Sequence, residues 1–139
     1  MGRVLAIDYG DVRTGLALSD PSRMLASGLE TVSNVKNMQE LACYIADVCR
    51  TNQVVQIVVG LPLNMDDSEG PRCVVVREFA ALLGAECDLP IHFHDERCTS
   101  ILANEILAHS KGGKNKKKKR KAVVDTLSAQ IILQDYLDN

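Results

Sequence analysis

The sequence is short of aromatic residues and of long apolar segments. Among its 139 residues there are no Trp, two Phe and three Tyr. No apolar run approaches the roughly 20 residues that a membrane-spanning helix requires. The first apolar run is short and ends at Asp8, unlike a signal peptide. We therefore expect no membrane partner and no recognition mode that depends on a row of stacked aromatic rings.

The cysteine pattern argues against a cysteine-based framework. The five cysteines are odd in number, dispersed and without a C-x-x-C pair. A disulfide network and a structural zinc site both need paired spacings, so free thiols in a reducing compartment, the cytoplasm, are expected. The hydrophobic content of 46% and the charged content of 24% are ordinary for one globular domain spanning residues 1–139.

The charge is distributed unevenly along the chain. Residues 111–121 hold seven Lys, one Arg and no acidic residue, which is half of the 16 basic residues. The rest of the chain carries 8 basic and 18 acidic groups, a net charge of −10. An acidic body repels polyanions, so a polyanion is expected to bind at this basic segment. By composition the segment is a flexible loop, and composition alone also fits a nuclear-localisation signal.

The apolar pattern predicts an α/β fold. Three strands come first, followed by helix, strand, helix, strand, helix, basic loop and helix. The short connection between the first two strands implies an antiparallel pair, and the later alternation implies parallel strands. The result is a mixed five-stranded sheet with helices on both faces. The predicted strands are 4–7, 15–19, 24–32, 54–59 and 89–94, and the predicted helices are 38–49, 71–84, one from 99 or 100, and 122–137.

Acidic residues follow two of the predicted parallel strands. Asp8 ends the apolar run 4–7, where a carboxylate is costly unless backbone N–H groups, a basic side chain or a metal ion satisfies it. Asp95 and Glu96 follow the last strand. Because functional groups of open α/β sheets gather beyond the carboxyl ends of such strands, we expect these side chains near one another. Taken alone, Asp95-Glu96-Arg97 also fits a self-neutralising surface turn.

Asp125 is expected to face the sheet. It lies in the first turn of the last predicted helix, and the positions three, four, seven and eleven residues later form the core-facing stripe. These positions are Ser128, Ala129, Ile132 and Tyr136. The helix dipole also favours an acid in a first turn without any function. Converging with Asp8 and Glu96, Asp125 would complete an oxygen-rich site that suits Mg²⁺ or Mn²⁺ and phosphodiester hydrolysis.

Four segments resemble the YqgF family in sequence and in order: IDYGDVRTGLALSD, VVGLPLNMDDSEG, HDERCTS and VVDTLSAQIILQDYL. The family belongs to the ribonuclease H-like superfamily (RNase H-like), is related to Holliday junction resolvases and is regarded as nucleases that mature the 5′ end of pre-16S ribosomal RNA. The resemblance runs nearly end to end. It implies the ribonuclease H-like fold, with Asp8, Glu96 and Asp125 at the family's acidic metal-binding positions.

Two residues depart from the family pattern. Asp67 stands where Gly is common after Asn-Met-Asp, so a turn with positive φ at this position costs more. Cys98 stands where a larger aliphatic residue is common after Asp-Glu-Arg. Neither change removes a carboxylate of the predicted site.

Basic and polar residues near the acidic positions are candidates for nucleic-acid binding. Arg13 and Thr14 fit either a phosphate contact or a plain turn. Asn64 fits either substrate positioning, which we favour slightly, or a hydrogen bond within its own loop. The basic segment is predicted to act as a phosphate clamp beside the metal site. The remaining candidates are Arg97 and, within that segment, Lys114, Lys116, Lys117, Lys118, Lys119 and Arg120.

His92 and His94 alternate on one face of the last predicted strand. Metal chelation by this pair is the alternative to a structural role. Packing or a hydrogen bond fits them better, because the neighbouring site offers only oxygen ligands.

Three hypotheses follow. The first is a Mg²⁺- or Mn²⁺-dependent nuclease that acts on structured RNA, such as ribosomal precursor RNA, as a monomer or homodimer. The second keeps this chemistry but takes branched DNA, and a junction resolvase should dimerise because it makes two symmetric cuts. The third is a nucleic-acid-binding factor in RNA processing or transcription without turnover. A sugar-kinase-like phosphate binder fails on length, since such enzymes need two such domains.

Overall fold

The computed structural model describes residues 2–33, 36–96 and 117–139, with residues 117–125 described by their backbone alone. These ranges contain five strands and three helices. The strands are β1 (Arg3–Asp8), β2 (Arg13–Ser19), β3 (Ala26–Ser33), β4 (Val54–Leu61) and β5 (Ile91–Asp95), and the helices are α1 (Met38–Thr51), α2 (Pro71–Cys87) and α3 (Lys117–Asp138).

The five strands form one mixed sheet in the order β3-β2-β1-β4-β5. The pairs β1–β2 and β2–β3 are antiparallel. The pairs β1–β4 and β4–β5 are parallel, so the predicted sheet is confirmed. This order brings the carboxyl ends of β1, β4 and β5 to the same end of the sheet, with β4 in the middle. Residues at the ends of β1 and β5 therefore flank the end of β4.

The sheet is covered on both faces. Because side chains alternate along a strand, Leu5 and Ile7 of β1 pack against α1 and α2, whereas Val4 and Ala6 pack against α3. Helix α1 begins at a regular cap, where the side chain of Asn37 accepts the Glu40 N–H at 2.8 Å. Asp8 shares the alternation of Val4 and Ala6, which puts it on the α3 side of the sheet.

Two helix boundaries were predicted wrongly. Helix α2 continues past Gly84 to Cys87, and its C-cap is Asp88, which has a φ of 53° and donates its N–H to the Gly84 carbonyl. Packing of α2 on the sheet outweighs the cost of a mid-helix glycine, about 1 kcal/mol. Helix α3 begins at Lys117 and not near residue 122, because Lys and Arg are good helix formers. Residues 117–121 are therefore helical and not part of a loop.

Several predictions fall on other parts of the chain. The helix predicted from residue 99 or 100 and the first half of the basic segment lie outside the described residues. No helix in the described ranges has the length and apolar character that a membrane span requires. The cysteines in those ranges are free thiols, as predicted: Cys43, Cys49, Cys73 and Cys87.

Candidate active site

Asp8 and Glu96 meet across the end of β4. Asp8 is the last residue of β1, and Glu96 directly follows β5, where its N–H donates to the Leu61 carbonyl at 3.2 Å. Between them lies Gly60 of β4, at which an added Cβ would stand 2.8 Å from Glu96 Oε2 and 2.7 Å from Ile132 Cδ1. Such distances are too short for real contacts, so glycine at this position is what allows the Glu96 carboxyl group to lie over the strand.

Burial and the neighbouring carboxylate raise the pKa of Glu96 to about 9. Burial is the largest cause, the negative charge of Asp8 is the next, and a hydrogen bond between the Asp8 and Glu96 side chains is the third. The nearby positive charge of Arg72 lowers the pKa, and Asp95 raises it slightly. Without a cation, the pair therefore holds a proton between two carboxylates near neutral pH.

The residues present fit a hard divalent cation. Two carboxyl groups held this close are costly when both are ionised, and a divalent ion with oxygen ligands removes that cost. The described side chains contain no complete group of three or more metal-binding residues. Asp8 and Glu96 are two of the three predicted ligands, and the side chain of the third, Asp125, lies outside the described residues.

Helix α3 carries Asp125 over this end of the sheet. The predicted stripe is confirmed, since Ser128 is 1% exposed, Ala129 0% and Ile132 1%, and Tyr136 packs against the same cluster. Asp125 lies two helical turns before Ile132, whose Cδ1 lies against Gly60, as Glu96 Oε2 does. The backbone thus places Asp125 on the sheet-facing stripe of α3. Its part in metal binding stays a prediction.

Arg72 belongs to the same region and was not among the predicted site residues. It is the second residue of α2, and its guanidinium donates to the Tyr9 carbonyl at 3.1 Å and to Asp11 Oδ1 at 2.7 Å. The only sequence signal for Arg72 was its position at the start of a helix, directly after Pro71. That helix follows the loop at the carboxyl end of β4. Sequence periodicity does not show which loop that helix end contacts.

The turn after Asp8 is tightly built. Gly10 donates its N–H to Thr14 Oγ1 at 3.4 Å, and Thr14 is 1% exposed. Arg13 is the first residue of β2 and pairs with Ser33 of β3. The hydroxyl of Thr14 therefore stabilises the turn, which agrees with the plain-turn interpretation. Phosphate contacts by Arg13 and Thr14 stay predictions.

Asn64 closes its own loop. Its backbone N–H donates to the Ser68 carbonyl at 2.9 Å, and its side-chain amide donates to Ser68 Oγ at 3.0 Å. Asp67 in the same loop has a φ of 71°, which is the positive-φ conformation that glycine adopts at lower cost. Asn64 thus makes the hydrogen bond within its own loop that was the alternative to a functional role. Substrate positioning by Asn64 stays a prediction.

The histidines follow the simpler interpretation. His94 Nε2 lies 2.6 Å from Asp135 Oδ2 of α3, and both His92 and His94 contact the Tyr136 ring. The hydrogen-bond and packing roles predicted for the pair are thus found. The other predicted nucleic-acid contacts cannot be placed by side chain, because Arg97, Lys114 and Lys116 are outside the described residues and 117–120 are described by backbone alone.

The chain is similar to a well-defined set of proteins. Residues 2–139 match the family described as "RuvX: Holliday junction resolvase". A protein of Roseiflexus sp. (strain RS-1), named "Putative pre-16S rRNA nuclease", is 44% identical over 138 residues, which cover 99% of this chain and 95% of that one. A protein of the same name from Porphyromonas gingivalis is 42% identical over 140 residues, covering 100% and 98%.

Solved structures support the fold. The Thermus thermophilus RuvC structure has a TM-score of 0.56 at 13% identity, covering 97% of this chain and 93% of that one. The complex of T. thermophilus RuvC with a Holliday junction substrate has a TM-score of 0.51 at 13% identity and 92% coverage of each chain. The predicted ribonuclease H-like fold is confirmed. With a family match over residues 2–139 and relatives above 40% identity over nearly all of their length, the chain belongs to the RuvX family, also known as YqgF.

Proposed function

We propose that this protein is a divalent-metal-dependent nuclease that hydrolyses phosphodiester bonds in the maturation of the 5′ end of pre-16S ribosomal RNA. The observation that carries the proposal is the contact between the Asp8 and Glu96 carboxyl groups at the shared carboxyl end of three parallel strands. Membership of the family and the names of its curated relatives support the reaction class and the RNA substrate.

Asp8, Glu96 and Asp125 would hold the metal, with Mg²⁺ or Mn²⁺ favoured by all-oxygen ligands. Asp8 and Glu96 come from strand ends and are fixed by the sheet, whereas Asp125 comes from α3. When bound, the metal lowers the pKa of an attacking water and stabilises the leaving oxygen. The chain's own residues position the carboxylates, and the Asp8–Glu96 pair would hold the cation in its fully deprotonated form.

The nucleic-acid contacts are proposed on charge and location. The basic segment, residues 111–121, precedes Asp125 by four residues at its nearest point and is the main concentration of positive charge. It would bind backbone phosphates, together with Arg13, Thr14, Asn64 and Arg97. Processing of ribosomal RNA would take place in the cytoplasm, and residues 1–139 would act as one nuclease domain.

A cleavage assay tests this function. The wild-type protein and Asp8→Asn are incubated with a pre-16S 5′-end RNA and with a four-way DNA junction, in Mg²⁺, Mn²⁺ or EDTA. We expect the wild type to cleave the RNA with either metal and Asp8→Asn to lose at least about 1,000-fold in rate. Binding without cleavage under every condition would favour the non-catalytic factor instead.

Branched DNA is the second candidate substrate. The description of the matching family names Holliday junction resolvases, and this observation alone favours it. Symmetric cutting of a junction requires two active sites, so the DNA reaction predicts a homodimer on gel filtration. Faster cleavage of the junction than of the RNA, by a dimer, would replace the RNA proposal.

A further inference from the structure

Arg72 is held rigidly beside the carboxylate pair. Its guanidinium donates to the backbone carbonyl of Tyr9, the residue after Asp8, and lies 5.6 Å above the centre of the Tyr9 ring. That ring is stacked on Phe79, with the two centroids 4.7 Å apart and the planes at 22°. Phe79 is fully buried in the core between the sheet, α1 and α2. The cation is therefore fixed on a partly buried aromatic ring that stacks on the core, one residue from Asp8.

The guanidinium retains capacity for a ligand. Arginine has five N–H donors, and the contacts with described residues use one on Tyr9 and one on Asp11. The Arg72 side chain is 37% exposed, and the Asp11 side chain that pairs with it is 74% exposed. A phosphate group could therefore reach the outer face of the guanidinium while the Tyr9 contact stays in place.

The Arg72 guanidinium is placed to bind a phosphate, and it does not form an ion pair with Asp8 or Glu96 among the described contacts. Arg72 affects Glu96 through its charge, and the partners found for its N–H groups among described residues are Tyr9 and Asp11. A fixed guanidinium next to a metal site attracts the backbone of a nucleic acid and can bind two phosphate oxygens at once.

We infer that Arg72 binds a backbone phosphate of the nucleic acid next to the carboxylate pair, and that Asp11 occupies the guanidinium until this phosphate arrives. The inference rests on the proposed nuclease function. Because the guanidinium is fixed before the substrate binds, it contributes to substrate affinity more than to turnover. Arg72 would thus bind phosphate beside the predicted metal ligands without being one of them.

The competing role is purely structural. In that role, Arg72 would only brace the turn at residues 9–14 and so hold Asp8 in place. Asp11 helps to separate the two roles, since bracing would use the Arg72–Asp11 ion pair as well as the Tyr9 carbonyl, whereas phosphate binding competes with that ion pair. Removing the Asp11 carboxylate should weaken the protein's binding if the pair is a brace, and should strengthen it if Asp11 is a placeholder.

The experiment measures binding without cleavage. In an Asp8→Asn background with Mg²⁺, fluorescence anisotropy gives Kd across a salt series for a labelled pre-16S 5′-end RNA and for a labelled four-way DNA junction. Three further changes are compared: Arg72→Ala, Arg72→Lys and Asp11→Ala. Thermal unfolding of each variant reports any loss of folding.

We expect Arg72→Ala to weaken binding about 10-fold and to lower the log–log salt slope by about 0.7 on single-stranded RNA. Arg72→Lys should have the salt slope of the parent but should recover only part of the affinity that Arg72→Ala loses. Lysine keeps the charge but cannot bind two phosphate oxygens at once. Asp11→Ala should tighten binding about 2- to 5-fold, since it removes a negative charge from the path of the phosphate.

Two results would overturn the inference. The first is an unchanged salt slope in Arg72→Ala, and the second is parallel weakening in Arg72→Ala and Asp11→Ala. Both leave the proposed nuclease function intact, because the parent protein still binds. Absence of binding to either nucleic acid by the Asp8→Asn parent, together with absence of cleavage of either by the wild type, would overturn the inference and the proposed function together.

Discussion

The two faces of the sheet are built differently. The face under α1 and α2 is packed with large apolar side chains, among them Leu5, Ile7 and Phe79, all fully buried. Among the described residues, the face under α3 has a smaller cluster, which combines alanines such as Ala6 and Ala129 with Ile132 and Leu133. Each Å² of buried apolar area stabilises the fold by roughly 25 cal/mol, so among the described residues the first face contributes more to stability.

The α3 face compensates with directional contacts. The Ala26 N–H donates to Gln134 Oε1 at 2.9 Å, and the Gln134 amide donates to the Met24 carbonyl at 3.1 Å. Gln130 donates to the Ala26 carbonyl at 3.2 Å, and Tyr136 hydrogen bonds with Gln56 of β4. Hydrogen bonds fix the rotation and register of a helix more sharply than apolar packing does.

This difference separates stability from positioning. The candidate site lies on the α3 face, where Glu96 and Ile132 both lie against Gly60 and where the α3 backbone carries Asp125. Small losses on this face should therefore affect activity, and large losses on the other face should affect mainly folding. Four substitutions test this contrast, in decreasing order of expected effect on stability.

Phe79→Ala should lower the free energy of unfolding by about 3–5 kcal/mol, because it opens a cavity under the first face. Denaturant unfolding measures this loss. Phe79→Leu is the control and should cost clearly less, since it keeps most of the buried volume. A loss below 1 kcal/mol for Phe79→Ala would show that the first face does not dominate stability.

Glu96→Gln should change how stability depends on pH. The raised pKa means that the folded protein holds this proton more tightly than the unfolded chain does, so stability falls as pH rises from about 4.5 to about 9. In EDTA, the wild type should lose a few kcal/mol relative to Glu96→Gln over that range. Parallel stability profiles for the two proteins would contradict the pairing of Glu96 with Asp8.

Gly60→Ala should displace Glu96, because the new Cβ would lie 2.8 Å from Glu96 Oε2. We expect a stability loss of about 1–3 kcal/mol and at least a 10-fold loss of cleavage rate. Gly84→Ala in α2 is the matched control, since its Cβ would meet Ile91 at an ordinary 3.6 Å. If both variants cleave like the wild type, cleavage does not depend on the position of the Glu96 carboxyl group over β4.

Gln134→Ala should cost only about 1–2 kcal/mol of stability, through the two unpaired backbone groups of the β3 region. Cleavage should nevertheless fall several-fold, because α3 loses a contact that fixes its register. The control is Gln39→Ala on α1, whose side chain bonds the exposed Glu86 at 2.8 Å and should be neutral in both measurements. Equal cleavage rates of the two variants would contradict the claim that the Gln134 contacts position α3 for catalysis.

The sequence predicted the sheet well, for physical reasons. Runs such as Val4–Ile7 are too apolar for exposed segments, and the position of Asp8 and Glu96 at strand ends follows from the order of elements. Arg72 could not be predicted, because its partners Tyr9 and Asp11 lie more than 60 positions away in sequence. The start of α3 was missed because a lysine run suits both a solvated loop and a helix.

The central claim is that Asp8 and Glu96 form one metal-binding pair. Calorimetric titration of Mn²⁺ into the wild type, Asp8→Asn, Glu96→Gln and the exposed control Asp47→Asn tests it most directly. We predict saturable binding by the wild type and Asp47→Asn, proton release at neutral pH in both, and at least a 10-fold weaker Kd in the two site variants. Equal Mn²⁺ affinity in all four proteins would contradict the claim.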